Sequence, residues 1–145
     1  MKVAYNSCYG GFSLSAIGLT EYAKKKGIEL TWYDRVSSND GDRLSDKFVK
    51  VSGTPETYGF NTYPLVKDLG DSIGEKELND SFYYPSFNGS ELRADEDLID
   101  VIETLGDAAN GSCACLSIKE IPDGASFEIT EYDGFEGVEP PRQSW

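Results

Sequence analysis

The hydrophobic period changes twice within residues 1–33, and this change does most to limit the architectures open to the chain. Residues 2–6 (Lys-Val-Ala-Tyr-Asn) read as a short strand, and residues 7–12 form a loop carrying Gly10 and Gly11. Ser13 or Ser15 then caps a helix whose apolar positions run Leu14, Ile17, Leu19, Tyr22, Ala23. Three lysines, Lys24 to Lys26, set cations against the helix C-terminus, and Gly27 supplies the left-handed residue that ends it. Residues 28–33 return to strand composition. A β-α-β opening of this kind predicts a parallel pair of strands joined by a right-handed crossover.

Farther along, residues 36–46 turn polar and glycine-bearing, as in a surface loop, and residues 47–51 alternate as a strand. Residues 52–88 hold three prolines, several glycines and the aromatics Tyr58, Phe60, Tyr63, Phe82, Tyr83, Tyr84 and Phe87. Long loops with short strands or one short helix are expected there. The rings either pack on the core or offer a stacking or oligomer surface. Residues 94–105 place apolar side chains at helical spacing, with acids in the first turn and Gly106 just past the end. Residues 113–121 read as a strand stopped by Pro122-Asp123-Gly124, and residues 127–132 alternate cleanly, so these two strands are expected to pair antiparallel. No regular pattern is read after Tyr132. The expectation is one α/β domain over residues 1–145, α+β with a mixed sheet, opening on β-α-β, closing on an antiparallel strand pair, and built on two main helices.

Chemistry is bounded chiefly by what the chain lacks. It contains no histidine, so Ser-His-Asp and Cys-His catalysis and histidine-ligated zinc lose their usual participant. Cys8 lies near a predicted helix N-terminus, which lowers a thiol pKa, yet no positioned base follows from the pattern. Carboxylates are plentiful: Asp95-Glu96-Asp97 suits the start of a helix, and Glu131 and Asp133 suit a solvated strand face, so neither cluster calls for a metal. The three cysteines fit a reducing compartment, with Cys113 and Cys115 as small strand residues. No signal peptide and no apolar run of about 20 residues is seen, so a cytoplasmic protein without a membrane partner is expected.

The net charge of −13 opposes binding to duplex nucleic acid, so an anionic ligand has to be met locally. The loop Cys8-Tyr9-Gly10-Gly11-Phe12-Ser13 suits that task. Glycines let backbone N–H groups approach a phosphate, and a following helix N-terminus adds partial positive charge. Ser13 adds a hydroxyl, and Tyr9 or Phe12 would stack on a base. Neither the GxGxxG nor the GxxxxGK[ST] spacing is present, and two adjacent glycines serve a tight turn equally well.

The string Asn6-Ser7-Cys8-Tyr9-Gly10-Gly11-Phe12-Ser13-Leu14-Ser15 resembles the start of a family of small bacteriophage proteins. So do Arg93-Ala94-Asp95, Leu105-Gly106, residues 118–122, and the closing Glu131-Tyr132-Asp133-Gly134-Phe135-Glu136 with Arg142 and Trp145. The likeness covers the two ends of the chain, and among such phage proteins it points to the anti-CBASS sponges. What it implies is a non-enzymatic homo-oligomer, with a tetramer favoured, that sequesters a cyclic dinucleotide such as cyclic GMP-AMP in the host bacterial cytoplasm and so blocks an immune signal. No cofactor or metal is implied. On this reading Gly10, Gly11 and Ser13 hold phosphate, Arg93 or Arg142 supplies charge, and Tyr9, Phe12 or Trp145 stacks a base. The competing expectations are a sponge for a cyclic ADP-ribose type signal, a metal-dependent nucleotide-processing enzyme using the carboxylates, and an acidic mimic of nucleic acid.

Overall fold

A computed structural model describes residues 1–36, 47–56, 61–87 and 90–140. The chain's contacts gather into two compact units, Met1–Tyr22 with Ser86–Trp145, and Ala23–Pro85. In the first unit β1 (Lys2–Asn6) pairs antiparallel with β6 (Leu116–Glu120), from Lys2↔Glu120 to Asn6↔Leu116. β7 (Glu128–Tyr132) and β8 (Phe135–Glu139) form a second antiparallel pair. Helices α3 (Ser90–Arg93) and α4 (Glu96–Leu105) lie against β1. The apolar face of α4, Leu98, Ile99, Val101 and Ile102, is buried, as are Val3, Ala4 and Val138.

The second unit is a four-stranded antiparallel sheet in the order β4-β2-β3-β5, where β2 is Thr31–Val36, β3 Lys47–Lys50, β4 Thr62–Leu65 and β5 Ser72–Ile73. Helix α2 (Glu75–Ser81) packs on β3. Tyr33, Phe48, Leu65, Ile73 and Leu78 form its core, with Tyr63 and Leu69 half-buried against it.

Local signals place the helices well. Helix α1 (Ala16–Lys25) is capped by Ser15, whose Oγ accepts from Gly18 N–H at 3.0 Å. It ends in a Schellman turn: Gly27, at φ +81°, donates to Lys24 O at 3.0 Å, and Ile28 N–H reaches Ala23 O at 2.9 Å. For α4 the Asp95 carboxylate caps by accepting from Asp97 N–H at 2.8 Å. The α+β class, the two ten-residue helices and the closing antiparallel pair agree with the sequence expectation.

Pairing partners differ from it in two places. The β-α-β order is present, but β1 and β2 belong to different sheets, and every strand pair among the described residues is antiparallel. Strand β2 takes β3 and β4, nearer in sequence and therefore cheaper to close onto, which leaves β1 to β6. Likewise β7 pairs with β8 rather than β6, because Asp133 (φ +50°) and Gly134 (φ +86°) make a two-residue hairpin turn of the kind whose twist matches paired strands.

Candidate functional site

The loop after β1 is held from below by Asn6, which is fully buried. Its backbone N–H donates to Glu136 Oε1 at 2.8 Å, and its side-chain amide donates to Cys8 O at 2.6 Å and Gly134 O at 2.7 Å. Its Oδ1 accepts from Cys115 N–H at 2.8 Å. One side chain thus ties the loop, the β7–β8 turn and the approach to β6 together.

Gly10 and Gly11, at φ +122° and +93°, adopt conformations that other residues resist. The Gly10 N–H donates to Asp133 O at 3.1 Å, so that amide is spent within the protein. A Cβ on Gly10 would collide with the Cys113 carbonyl, and one on Gly134 would collide with the amides of Gly10 and Gly11. Close approach of three chain segments therefore accounts for Gly10 and Gly134, whereas Gly11, with nothing within 4 Å of an added Cβ, is called for by its backbone angle alone. Ser13 is engaged through its carbonyl, which accepts from Gly111 N–H at 2.9 Å. Among the described residues no group of the protein accepts from the N–H of Phe12 or Ser13.

Arg93 is the largest departure from expectation. Expected to supply charge to a phosphate, it is 1% exposed and turned inward. Nη1 and Nη2 grip Glu136 Oε1 and Oε2 at 2.7 and 2.8 Å, a bidentate pair. Nε donates to Phe87 O at 2.5 Å, and Nη1 also reaches Ala4 O at 3.4 Å. The Phe12 ring lies over this guanidinium, 3.8 Å from Cζ to ring centroid, and against Phe87 at 5.6 Å. Burial of a charge requires such a partner, so Arg93 is a structural pin and Phe12 its cover. Sequence alone did not join Arg93 to Glu136; the two lie 43 residues apart.

Tyr9, expected to stack on a base, lies at the surface. It is 65% exposed, and its ring meets that of Phe135, itself 45% exposed, at 5.5 Å and 44°. Tyr132, directly across the hairpin from Phe135, is 72% exposed. Phe135 and Tyr132 were absent from the expected site, although the Tyr-Asp-Gly-Phe string carries both a hairpin turn and two flanking rings. Arg142 and Trp145 lie outside the described residues.

Cys8, half-buried, directs its thiol to Asn6 Oδ1 at 3.5 Å and Cys113 O at 3.6 Å. The neighbouring Cys115 thiol raises its pKa above the ordinary value of 9.0, and desolvation adds to the rise. This weakens it as a nucleophile at neutral pH.

A separate cleft of about 630 Å³ is lined by Met1, Lys2, Glu96, Asp100, Glu103 and Asp123, and none of the expected site residues reaches it. The Met1 ammonium there donates to Ile121 O at 2.7 Å and Asp123 Oδ1 at 2.6 Å, holding the Asp123 carboxyl below its usual pKa. Among the described residues, no three His, Cys, Asp or Glu side chains gather as a metal-binding group, and no helix is long and apolar enough to cross a membrane. In comparisons with protein-family models, curated proteins and solved structures, the chain matches none.

Proposed function

We propose that this chain is a binding protein, not an enzyme, that sequesters a cyclic dinucleotide signal in a bacterial host's cytoplasm, as the resemblance to anti-CBASS phage proteins implies. The observation that carries the reading is the exposed Tyr9–Phe135 ring pair, with Tyr132 beside it across the hairpin, on the rim of the glycine loop. Exposed rings held by a hairpin and a pinned loop present faces to a base at little ordering cost, and each stacked base contributes about 1–3 kcal/mol. With the Gly10 amide donating to Asp133 and Arg93 gripping Glu136, the phosphates are left the N–H groups of Gly11, Phe12 and Ser13 and the Ser13 hydroxyl. Arg142 is the arginine assigned to charge neutralisation, from the tail of the same or a neighbouring subunit in a homo-oligomer, with a tetramer favoured.

The test is to incubate the purified chain with cyclic GMP-AMP, other cyclic dinucleotides and cyclic ADP-ribose, with and without magnesium. Binding is measured by calorimetry, and the ligand is recovered after heat denaturation. Intact cyclic dinucleotide, and an affinity that drops about tenfold for Tyr9→Ala, are the expected results, since one lost stack near 1.4 kcal/mol is a factor of ten. New products would make the chain an enzyme, retention of cyclic ADP-ribose alone would change the ligand class, and no binding at all would refute the reading.

A further inference from the structure

Three cysteines lie on the segments that come together at the foot of the same loop. Cys8 follows β1, while Cys113 and Cys115 precede β6, and the antiparallel pairing brings these two ends together. Beyond the last registered pair, Asn6↔Leu116, the Ser7 N–H continues the ladder by donating to Cys115 O at 2.8 Å. Asn6 Oδ1 is the meeting point: it accepts from Cys115 N–H at 2.8 Å and from Cys8 Sγ at 3.5 Å. The Cys8 sulfur and the Cys115 backbone therefore converge on one atom. Cys113 faces Cys8 with its carbonyl, at 3.6 Å, while its Cβ lies against Gly10. Cys113 and Cys115 are exposed and open to a small reagent.

We propose that Cys8 and Cys115 are a modification site, forming a reversible intrachain disulfide by exchange with a low-molecular-weight disulfide of the glutathione type. Exposed Cys115 reacts first. Its thiolate attacks one sulfur of the small disulfide, a protein–glutathione bond forms, and one glutathione thiolate leaves and takes up the proton that Cys115 gave up. The Cys8 thiol then loses its proton and attacks the Cys115 sulfur, expelling the second glutathione as its thiol. Two protein thiols have lost two hydrogens and two electrons, and one small disulfide has become two thiols. The attacking species is the Cys8 thiolate, so this second step accelerates with rising pH. The bond would fasten the segment carrying Tyr9 to the start of β6 whatever ligand the loop accepts, so the inference stands apart from the nucleotide reading.

The experiment uses the full chain, reduced and then exposed under native conditions to excess glutathione disulfide. Remaining thiols are alkylated, and intact mass and peptide maps are recorded. The expected product yields a linked peptide pair containing Cys8 and Cys115, two hydrogens lighter than the separate peptides, and carries one alkyl or glutathionyl group, on Cys113. Dithiothreitol reverses it. Cys113→Ser leaves the cross-link unchanged, whereas Cys115→Ser abolishes it. A chain that keeps three alkylatable thiols, one that stops at a glutathione adduct on Cys8 or Cys115, or one whose cross-link contains Cys113 or joins two chains overturns the proposal. The wild-type and Cys113→Ser measurements decide it even if the other variant does not fold.

Discussion

The two units solve the same problem of closure by different chemistry. The segment Ala23–Pro85 is continuous, and its sheet closes over an apolar cluster of Tyr33, Phe48, Leu65, Ile73 and Leu78. The other unit is assembled from two stretches distant in sequence, and at their junction stand a buried Arg93–Glu136 pair and a buried Asn6 that touches three segments. Apolar burial is non-directional and tolerates exchange of similar side chains. A desolvated ion pair in which each guanidinium nitrogen has a partner accepts few arrangements of those partners, at a desolvation cost that apolar residues avoid. The lesson is that the discontinuous unit spends stability on specifying which distant segments meet, a hypothesis that point substitutions can break.

The largest effect is expected from cutting each closure device once. Glu136→Ala leaves the Arg93 guanidinium buried and unpaired and should cost about 3–5 kcal/mol, and Phe48→Ala should cost a similar amount through the cavity it opens. The comparison is sharpened by the double replacement Arg93→Met with Glu136→Leu. Denaturant unfolding should show most of the Glu136→Ala loss recovered if the pair supplies specificity rather than net stability. A double variant as unstable as Glu136→Ala would show instead that the pair is a net stabiliser.

A smaller contrast separates glycines that permit contact from glycines that permit only a turn. Gly134→Ala meets both a left-handed backbone and the amides of Gly10 and Gly11, so a loss well above about 1 kcal/mol is expected from thermal unfolding. Gly70→Ala, at φ +103° with open space around it, should lose only the backbone strain. Equal losses at the two positions would remove close packing as the reason for Gly134.

The smallest effect is electrostatic and belongs to the continuous unit. Asp68 is held below its ordinary pKa of 3.8, first by its hydrogen bond to Lys50 and then by the Gly70 N–H, while Lys50 is raised above 10.5 by the same carboxylate. The Asp68 contribution is present above pH 3.8 and is lost as the pH falls through the lower folded value; the Lys50 contribution is present below pH 10.5 and is lost as the pH rises through the higher folded value. Both groups are exposed to solvent, so the effect is shallow and screened by salt. Asp68→Asn should flatten the acid limb of stability measured against pH; an unchanged limb would assign it to other carboxylates.

What could be read from residues alone follows the range of the interaction. Ser15, Gly27, Asp95 and Gly106 act within one helical turn of themselves, and the two long helices stand where those signals put them. The Asp133-Gly134 hairpin was equally legible in principle, since that dipeptide between alternating strands is a strong turn signal; it was hidden only by reading the tail as irregular. The choice of β6 for β1, and of Glu136 for Arg93, depends on contacts between segments that no local pattern connects. In the loop at residues 8–13, the two adjacent glycines were legible as a place of unusual backbone, and both take positive φ. The roles of two of its members changed, because Gly10 and Phe12 meet the protein's own groups.

The pairing of β1 with β6 has a temporal consequence. Lys2 is made 118 residues before its partner Glu120. At translation speeds of about 5–20 residues per second, the opening strand waits roughly 5–20 seconds with its hydrogen-bonding edge unclaimed. Ala23–Pro85, which gathers its contacts into a unit of its own, is synthesised well before then. A nascent chain stalled before β6 is therefore the form in which this protein is most open to chaperones and to mispairing.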